Sequence, residues 1–319
     1  MTAPLLSVRD LSVEFRTPAG RIRAVDRVSF DLHKGETLAL VGESGCGKST
    51  LARAIVGLVP VSGGSVSYAG REITGKSRAL LRPVRQKLQL VFQDPYASLN
   101  PRLTISAILE EPLLLHQRLS GKPADDRVSE LLEQVGLDPS LRTRYPHEFS
   151  GGQRQRISVA RALAVGPEML LCDEVTSALD VSVQAQMLEL LAGLQARLGL
   201  SYLFITHDLG VVRSIAQRIA VMYLGQLVEL SATEEFFEQP LHPYSHGLLA
   251  SIPRLQVQQG RTRALMQGEV PSPARPPSGC RFHTRCPRRF ERCPREEPPT
   301  YPVADRLSRC FLHDPATKP

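Results

Sequence analysis

Residues 37–50 read TLALVGESGCGKST. Five apolar or β-branched residues run straight into G-x-x-x-x-G-K-[ST], and the stretch after it, LARAIVGL, has a helical pattern. A strand, a glycine loop and a helix in that order make a site for an anion. The glycines let the backbone curl until its N–H groups point inward, and the helix presents its positive end. A plain glycine-rich turn is the competing reading, and the ordered context argues against it. Lys48 would neutralise the β- and γ-phosphates of ATP, and the Ser49 hydroxyl would coordinate Mg²⁺. Gly42, Ser44, Gly45, Cys46, Gly47 and Thr50 complete the cradle.

Four more short apolar runs resemble the first: LQLVF at 88–92, MLLCDE at 169–174, YLFIT at 202–206 and IAVMY at 219–223. Helical patterns separate them, so we expect an α/β fold with a mostly parallel sheet covered on both faces. In MLLCDE the apolar residues bury the strand, and Asp173 and Glu174 emerge at its C-terminal edge, where ligands sit in open sheets. Phosphoryl transfer depends on positioning and charge stabilisation. Asp173 would hold Mg²⁺ through water, and Glu174 would be the catalytic base. Residues 94 to about 165 read as a helical insertion. Within it Val128, Leu131, Leu132 and Val135 share one face of a helix that ends near Gly136.

The 319 residues are 42% hydrophobic and 22% charged, which excludes a disordered or fibrous chain. The formal charge of +7 comes from basic residues, mostly arginine, that are scattered rather than gathered in blocks. No nucleic-acid partner is needed to explain it. No run of 18 apolar residues occurs, and the start MTAPLLSVRD lacks the order of a signal peptide. We therefore expect a cytosolic chain that does not span a membrane. Of six cysteines, Cys46 and Cys172 lie inside the two motifs and read as packing residues. The other four, Cys280, Cys286, Cys293 and Cys310, fall in a proline-rich tail. In a reducing compartment that cluster suggests a metal before it suggests disulfides.

A second anion-ready terminus stands at 149–156, FSGGQRQR, where Ser150 opens a helix and Gly151 and Gly152 free its first N–H groups. With this motif the chain resembles the ATP-binding subunits of ABC transporters. SGGQ, residues 150–153 including Gln153, matches the family signature; GESGCGKS matches Walker A and LLCDE matches Walker B. Gln93 in VFQDP resembles the Q-loop residue and an Mg²⁺ ligand, Asp180 in SALD the D-loop acid, and His207 in FITHD the switch histidine. The resemblance implies a P-loop NTPase core, an antiparallel β subdomain and an inserted α-helical subdomain. It also implies two cassettes paired head to tail, each ATP held between the phosphate loop of one and the signature helix of the other. Phe15 is the aromatic placed to stack on adenine, whereas Phe30 reads as a core strand residue.

Two further strings, QDPYASLNPR at 93–102 and HPYSHGLLASIP at 242–253, are similar to the branch that imports dipeptides and oligopeptides, with its nickel and glutathione relatives. That branch implies a second ATPase subunit, identical or a paralogue, two transmembrane permease subunits meeting residues 94–102, and an extracytoplasmic peptide-binding protein. The chain would sit peripherally on the cytoplasmic face of the inner membrane. We divide it into a nucleotide-binding domain, 1–240, and a Cys/Pro-rich C-terminal extension, 241–319. The spacing C-x5-C-x6-C-x16-C lacks the tight pairs of zinc ribbons, and Cys286 and Cys293 each precede proline. We favour a 4Fe–4S cluster over Zn²⁺ or no metal, with His283 and His313 as bystanders. The competing classes are a soluble ABC ATPase acting on ribosomes or DNA, which typically carries two cassettes or a long coiled coil, and a metal-dependent interaction module.

Overall fold

The computed structural model describes residues 3–17, 20–94, 98–251 and 268–317. Its centre is the strand that feeds the glycine loop. Strand β3 (Thr37–Val41) is buried at all five residues, as a strand covered on both faces must be. It lies between β8 (Ser201–Thr206) and β9 (Arg218–Tyr223), parallel to both. Beyond β8 the parallel order continues through β7 (Met169–Asp173) to β6 (Leu88–Val91). All five strands expected from sequence are thus present, although Phe92 falls just outside its strand and is 37% exposed.

On the other side of β9 the sheet turns antiparallel, through β10 (Gln226–Ala232) to β12 (Arg306–Ser308) and β11 (Tyr301–Val303). The eight-stranded sheet is therefore mixed. The hairpin of β11 and β12 comes from the segment read as a separate extension, and it continues the main sheet instead of standing apart. An exposed β10 edge would present unpaired backbone groups, and this hairpin covers it.

A four-stranded antiparallel sheet, ordered β2-β1-β4-β5, lies over one face. It is built from β1 (Leu6–Thr17), β2 (Gly20–Leu32), β4 (Gly63–Tyr68) and β5 (Arg71–Glu72). Leu38 and Leu40 point into the core shared with it, together with Val8, Val25 and Phe30. Ala39 and Val41 point the opposite way, as the period of two requires. Helix α1 (Lys48–Ile55) follows the glycine loop, and α2 (Arg78–Lys87) precedes β6.

The helical insertion holds α3 (Ile105–Gln117), α4 (Lys122–Gln134) and α5 (Gly151–Leu163). Val128, Leu131, Leu132 and Val135 are all fully buried, packed with the apolar residues of α3 and α5. Helix α6 (Val181–Leu198) starts on Asp180, whose carboxylate accepts the Val183 N–H at 3.0 Å. Shorter helices α7 (Leu209–Ile215), α8 (Thr233–Glu238) and α9 (Pro243–Ala250) follow. No helix among the described residues is long and apolar enough to cross a membrane.

Charge joins the extension to the rest. Asp26 on β2, 1% exposed, receives Arg281, Arg23 and Gln226. Burial alone would raise its carboxyl, but Arg281, Gln226, Arg23 and Arg27 outweigh that and hold it below the usual carboxylate range. Glu297 binds Arg27 through both oxygens, at 2.5 and 2.7 Å, and also Arg309 at 3.1 Å.

Candidate functional site

The glycine loop closes against backbone. A Cβ on Gly42 would lie 2.2 Å from the Met222 carbonyl oxygen, and one on Gly47 2.1 Å from that of Ala24. Both positions also have positive φ, 155° and 105°, so only glycine fits them. Inside the loop Lys48 is buried, and its ammonium donates to the carbonyls of Gly42 at 2.8 Å and Glu43 at 3.1 Å. Cys46 is buried beneath the loop, its thiol pushed up by burial, and Cys172 in β7 is pushed up to about 12 for the same reason. Neither is a reactive thiolate, as their reading as packing residues requires.

Around this loop the strand ends gather the other side chains. Ser49, in the first turn of α1, donates its hydroxyl to Asp173 Oδ1 at 2.8 Å. Asp173 is 1% exposed, and burial raises its carboxyl despite the Ser49 bond and nearby Arg53. A buried carboxylate whose ionised form is penalised in this way is stabilised by a cation. The donors present, a carboxylate, a hydroxyl and the Gln93 amide, are hard oxygens, the set Mg²⁺ prefers.

Glu174 sits one residue beyond β7. Gln93 donates its amide N–H to one carboxylate oxygen at 2.8 Å, and His207 Nδ1 stands 3.7 Å from the other. Glu174 has φ +49°, a conformation that costs a non-glycine residue of order 1–3 kcal/mol. Three bonds hold it there: its N–H to the Ile205 carbonyl at 3.0 Å, and its own carbonyl accepting the Ser177 N–H and hydroxyl. A carboxylate flanked by an amide and an imidazole at the mouth of a phosphate loop can take a proton from water.

The remaining expected residues lie elsewhere. Ser150 caps α5: its hydroxyl accepts the Gln153 N–H at 3.3 Å while the Gln153 side chain accepts the Ser150 N–H at 3.0 Å. Gly152 is buried where a Cβ would meet Val183 at 2.4 Å, so helix α5 presses on α6. Gln155 reaches the Phe92 carbonyl at 3.4 Å, which ties this helix to the β6 end of the sheet. β6 is three strands from β3, about 14 Å away at the usual strand spacing. Ser150, Gly151 and Gly152 stand at the start of this helix, on the β6 side of the sheet. Asp180 is exposed and caps α6. Phe15 is 39% exposed on β1, opposite Ile22, on the hairpin whose Ala24 abuts Gly47.

The sequence matches two family profiles. One, described as ABC transporter, covers residues 25–177; the other, described as oligopeptide/dipeptide transporter, C-terminal region, covers 228–293. The chain belongs to the ABC transporter ATPase family. It is 52% identical to the oligopeptide transport ATP-binding protein AppF of Bacillus subtilis, over 86% of this chain and 84% of that one. It is 49% identical to OppF of Escherichia coli, over 92% of each, and 49% identical to OppF of Salmonella typhimurium, over 98% and 97%. Among solved structures, the dimeric, post-hydrolysis ATP-binding cassette MJ0796 with ADP and phosphate matches with TM-score 0.66 at 29% identity. It covers 72% of this chain and 98% of its own. The cbiO1 subunit of Clostridium perfringens matches with TM-score 0.66 at 26% identity, over 75% and 92%. This ABC subunit is thus an ATPase of a transport system.

A further group of side chains packs against the glycine loop. The N–H of Glu43 donates to the Tyr244 hydroxyl at 2.9 Å, and Arg285 binds both Glu43 oxygens at 2.7 and 2.9 Å. Tyr244 packs on Tyr223, ring centroids 4.7 Å apart, and on Phe282 at 5.4 Å. The string HPY at 242–244 was legible only as a family trait, and one arginine among many carries no local mark of its partner.

The four tail cysteines do lie near one another. Cys280 donates its N–H to the Cys293 carbonyl at 2.8 Å. Burial, opposed by a bond to the Phe282 backbone and helped by Cys310, Cys293 and Cys286, pushes the Cys280 thiol up to about 12, and Cys310 rises to about 11. Yet among the described residues no group of three or more His, Cys, Asp or Glu stands close enough to hold a metal ion. This placement lends no support to the iron–sulfur expectation or to the zinc alternative. His283 and His313 each bond a backbone carbonyl, of Cys280 and Leu241.

Proposed function

We propose that this ATPase works on the cytoplasmic face of the cell membrane and drives import of dipeptides and oligopeptides. The match of residues 228–293 to the oligopeptide/dipeptide C-terminal region carries the substrate class, and its named relatives are oligopeptide transport proteins. The same ATPase in a nickel or glutathione importer is the nearest alternative.

In this reading Lys48, Ser44 to Thr50 and the first turn of α1 hold the phosphates. Ser49, Gln93 and Asp173 hold Mg²⁺, which neutralises phosphate charge when bound with ATP. Glu174 accepts the proton of the water that attacks the γ-phosphorus, and ADP leaves with the electrons of the broken P–O bond. Gln93 and His207 keep the Glu174 carboxylate aimed. The α5 terminus at Ser150, Gly151, Gly152 and Gln153, with Asp180, serves the nucleotide of a second cassette, the partner subunit. Support comes from the place of these residues in the first turn of a capped helix, whose leading N–H groups suit an anion. Phe15 stacks the adenine.

The permease pair docks in the groove between β6 and the helices, lined by Gln89, Phe92, Glu111, His116 and Arg161. Residues 95–97 of the expected docking string lie outside the described residues, as do 252 and 253 of the second string. An extracytoplasmic binding protein delivers peptide, and no nucleic acid takes part. For domains we keep 1–240 and 241–319, on the family string that starts at His242; the rise in proline and cysteine comes only after residue 270. For the four cysteines we keep the 4Fe–4S reading on their sequence spacing and the prolines after Cys286 and Cys293 alone. Visible absorbance of anaerobically purified protein, lost in Cys286→Ser, tests it; a colourless wild type removes it.

The decisive experiment is uptake of labelled peptide by cells carrying the whole importer. Lys48→Ala should abolish uptake and weaken Mg-ATP binding by about two orders of magnitude, as expected when a closed site is deprived of its charged phosphate ligand. Full uptake in that variant would overturn the assignment.

A further inference from the structure

The peptide unit between Gly42 and Glu43 is held from both sides. Its C=O accepts from Lys48 Nζ, and its N–H donates to the Tyr244 hydroxyl. Because a peptide is planar, fixing the N–H also fixes the direction of the C=O. Glu43 is then clamped by the Arg285 fork, which is 8% exposed and stands over the Tyr223 ring, 5.9 Å from its centroid. Lys48 has three protons, and two are committed to the carbonyls of residues 42 and 43. The third lies toward Cys46 Sγ at 3.8 Å, a weak acceptor that a phosphate oxygen would replace, and its direction follows from where those carbonyls are.

We infer that Arg285 and Tyr244 are positioning residues of the nucleotide site, acting through Glu43 and the 42–43 peptide to aim Lys48. Simple stabilisation does not account for the arrangement. A buried ion pair is seldom better for stability than apolar residues of the same volume, and here the Arg285 Nε is buried without a partner. A bidentate fork supplies geometry instead. Tyr244 is held just as firmly: His242 Nδ1 accepts its N–H at 3.0 Å, and Glu229 accepts the His242 N–H at 2.8 Å. The C-terminal region of the chain is in this way part of the ATP site. The inference rests on the reading of Lys48 as the phosphate ligand.

The test uses the full chain, with titration of a fluorescent ATP analogue and Mg²⁺, steady-state hydrolysis and thermal unfolding. Arg285→Ala should raise KM and the dissociation constant about tenfold while kcat changes by less than about threefold, the pattern of an interaction used equally in ground and transition states. Arg285→Lys should not rescue it, because an ammonium cannot make the fork. Adding Glu43→Gln to Arg285→Ala should cause little further loss, since both remove one link. Arg292→Ala, which strips the extension's outer contacts to Asp314 and Phe311, should lower the unfolding temperature and leave KM unchanged. If Arg285→Ala behaves like Arg292→Ala, the inference falls. Should Arg285→Ala fail to fold, Tyr244→Phe, which removes one oxygen, decides: severalfold weaker binding supports the inference, and unchanged binding overturns it. Wild-type protein that bound no Mg-ATP would overturn the nucleotide-site reading itself, a separate outcome.

Discussion

Glu174 carries the largest demand of any single side chain in the site. It must be strained and aimed at once, and its neighbours supply both conditions: Gln93 and His207 at the carboxylate, Ile205 and Ser177 at the backbone. Glu174→Gln keeps the shape and the backbone bonds and removes the carboxylate proposed as the base. It should leave Mg-ATP binding within about twofold of wild type and cut hydrolysis by about 10²–10⁴, the range for loss of a general base. A coupled phosphate-release assay beside a binding titration checks both halves. The identities of Lys48, Asp173 and Glu174 were legible because strand, loop and acid follow in a fixed local order. The positive φ of Glu174 was not, because the Ile205 carbonyl that holds it lies on another strand.

Among the elements, the start of α9 shows how a short string does structural work. His242 caps the helix with Nδ1, Pro243 suits its first turn, and Tyr244 is thereby delivered to the phosphate loop. The cap requires a neutral ring. Burial, helped by His313 and His246 and opposed by a bond to the Arg309 backbone, pushes His242 down to about 3 from 6.5. The unfolded chain binds this proton near pH 6.5 and the folded chain does not until about 3. The stability involved is therefore complete above pH 6.5 and lost as pH falls toward 3, at up to about 1.4 kcal/mol per pH unit. His242→Asn retains a capping oxygen and does not titrate. Urea unfolding of that variant between pH 6.5 and 4 should show a shallower decline than wild type, and an equal slope would remove His242 as its source. The helix start was readable from His-Pro; its tertiary contact was not.

Over the molecule as a unit, the C-terminal segment behaves as a set of plugs for buried charge. Arg281 meets Asp26, Arg306 meets Glu229, and β12 pairs with β10. Asp26 and Glu229 are each 1% exposed. Breaking one partner from a buried pair typically costs about 3–5 kcal/mol. A chain ending at residue 267 should thus unfold at markedly lower temperature, by about 10 °C or more on the order-of-magnitude scaling for a domain of this size, and should aggregate through the bared β10 edge. Calorimetry and light scattering read this out, and an unchanged unfolding temperature would show the segment to be an independent appendage. Composition marked where this segment begins, through its prolines and cysteines, but not that it folds back.

The order of residues along the chain was enough for whatever a local window can encode. A strand leading into a glycine loop, an acid pair ending an apolar run, a Ser-x-x-Gln helix cap and the face of Val128 to Val135 each follow from chain geometry within a few residues. Meetings between segments far apart came from the folded arrangement alone. Strand order brings Gln93 and His207 to Glu174, carries the 301–308 hairpin to β10 and sets Arg285 on Glu43. Such contacts depend on which strand lies beside which, and no property of Arg285 or Glu43 alone specifies the other.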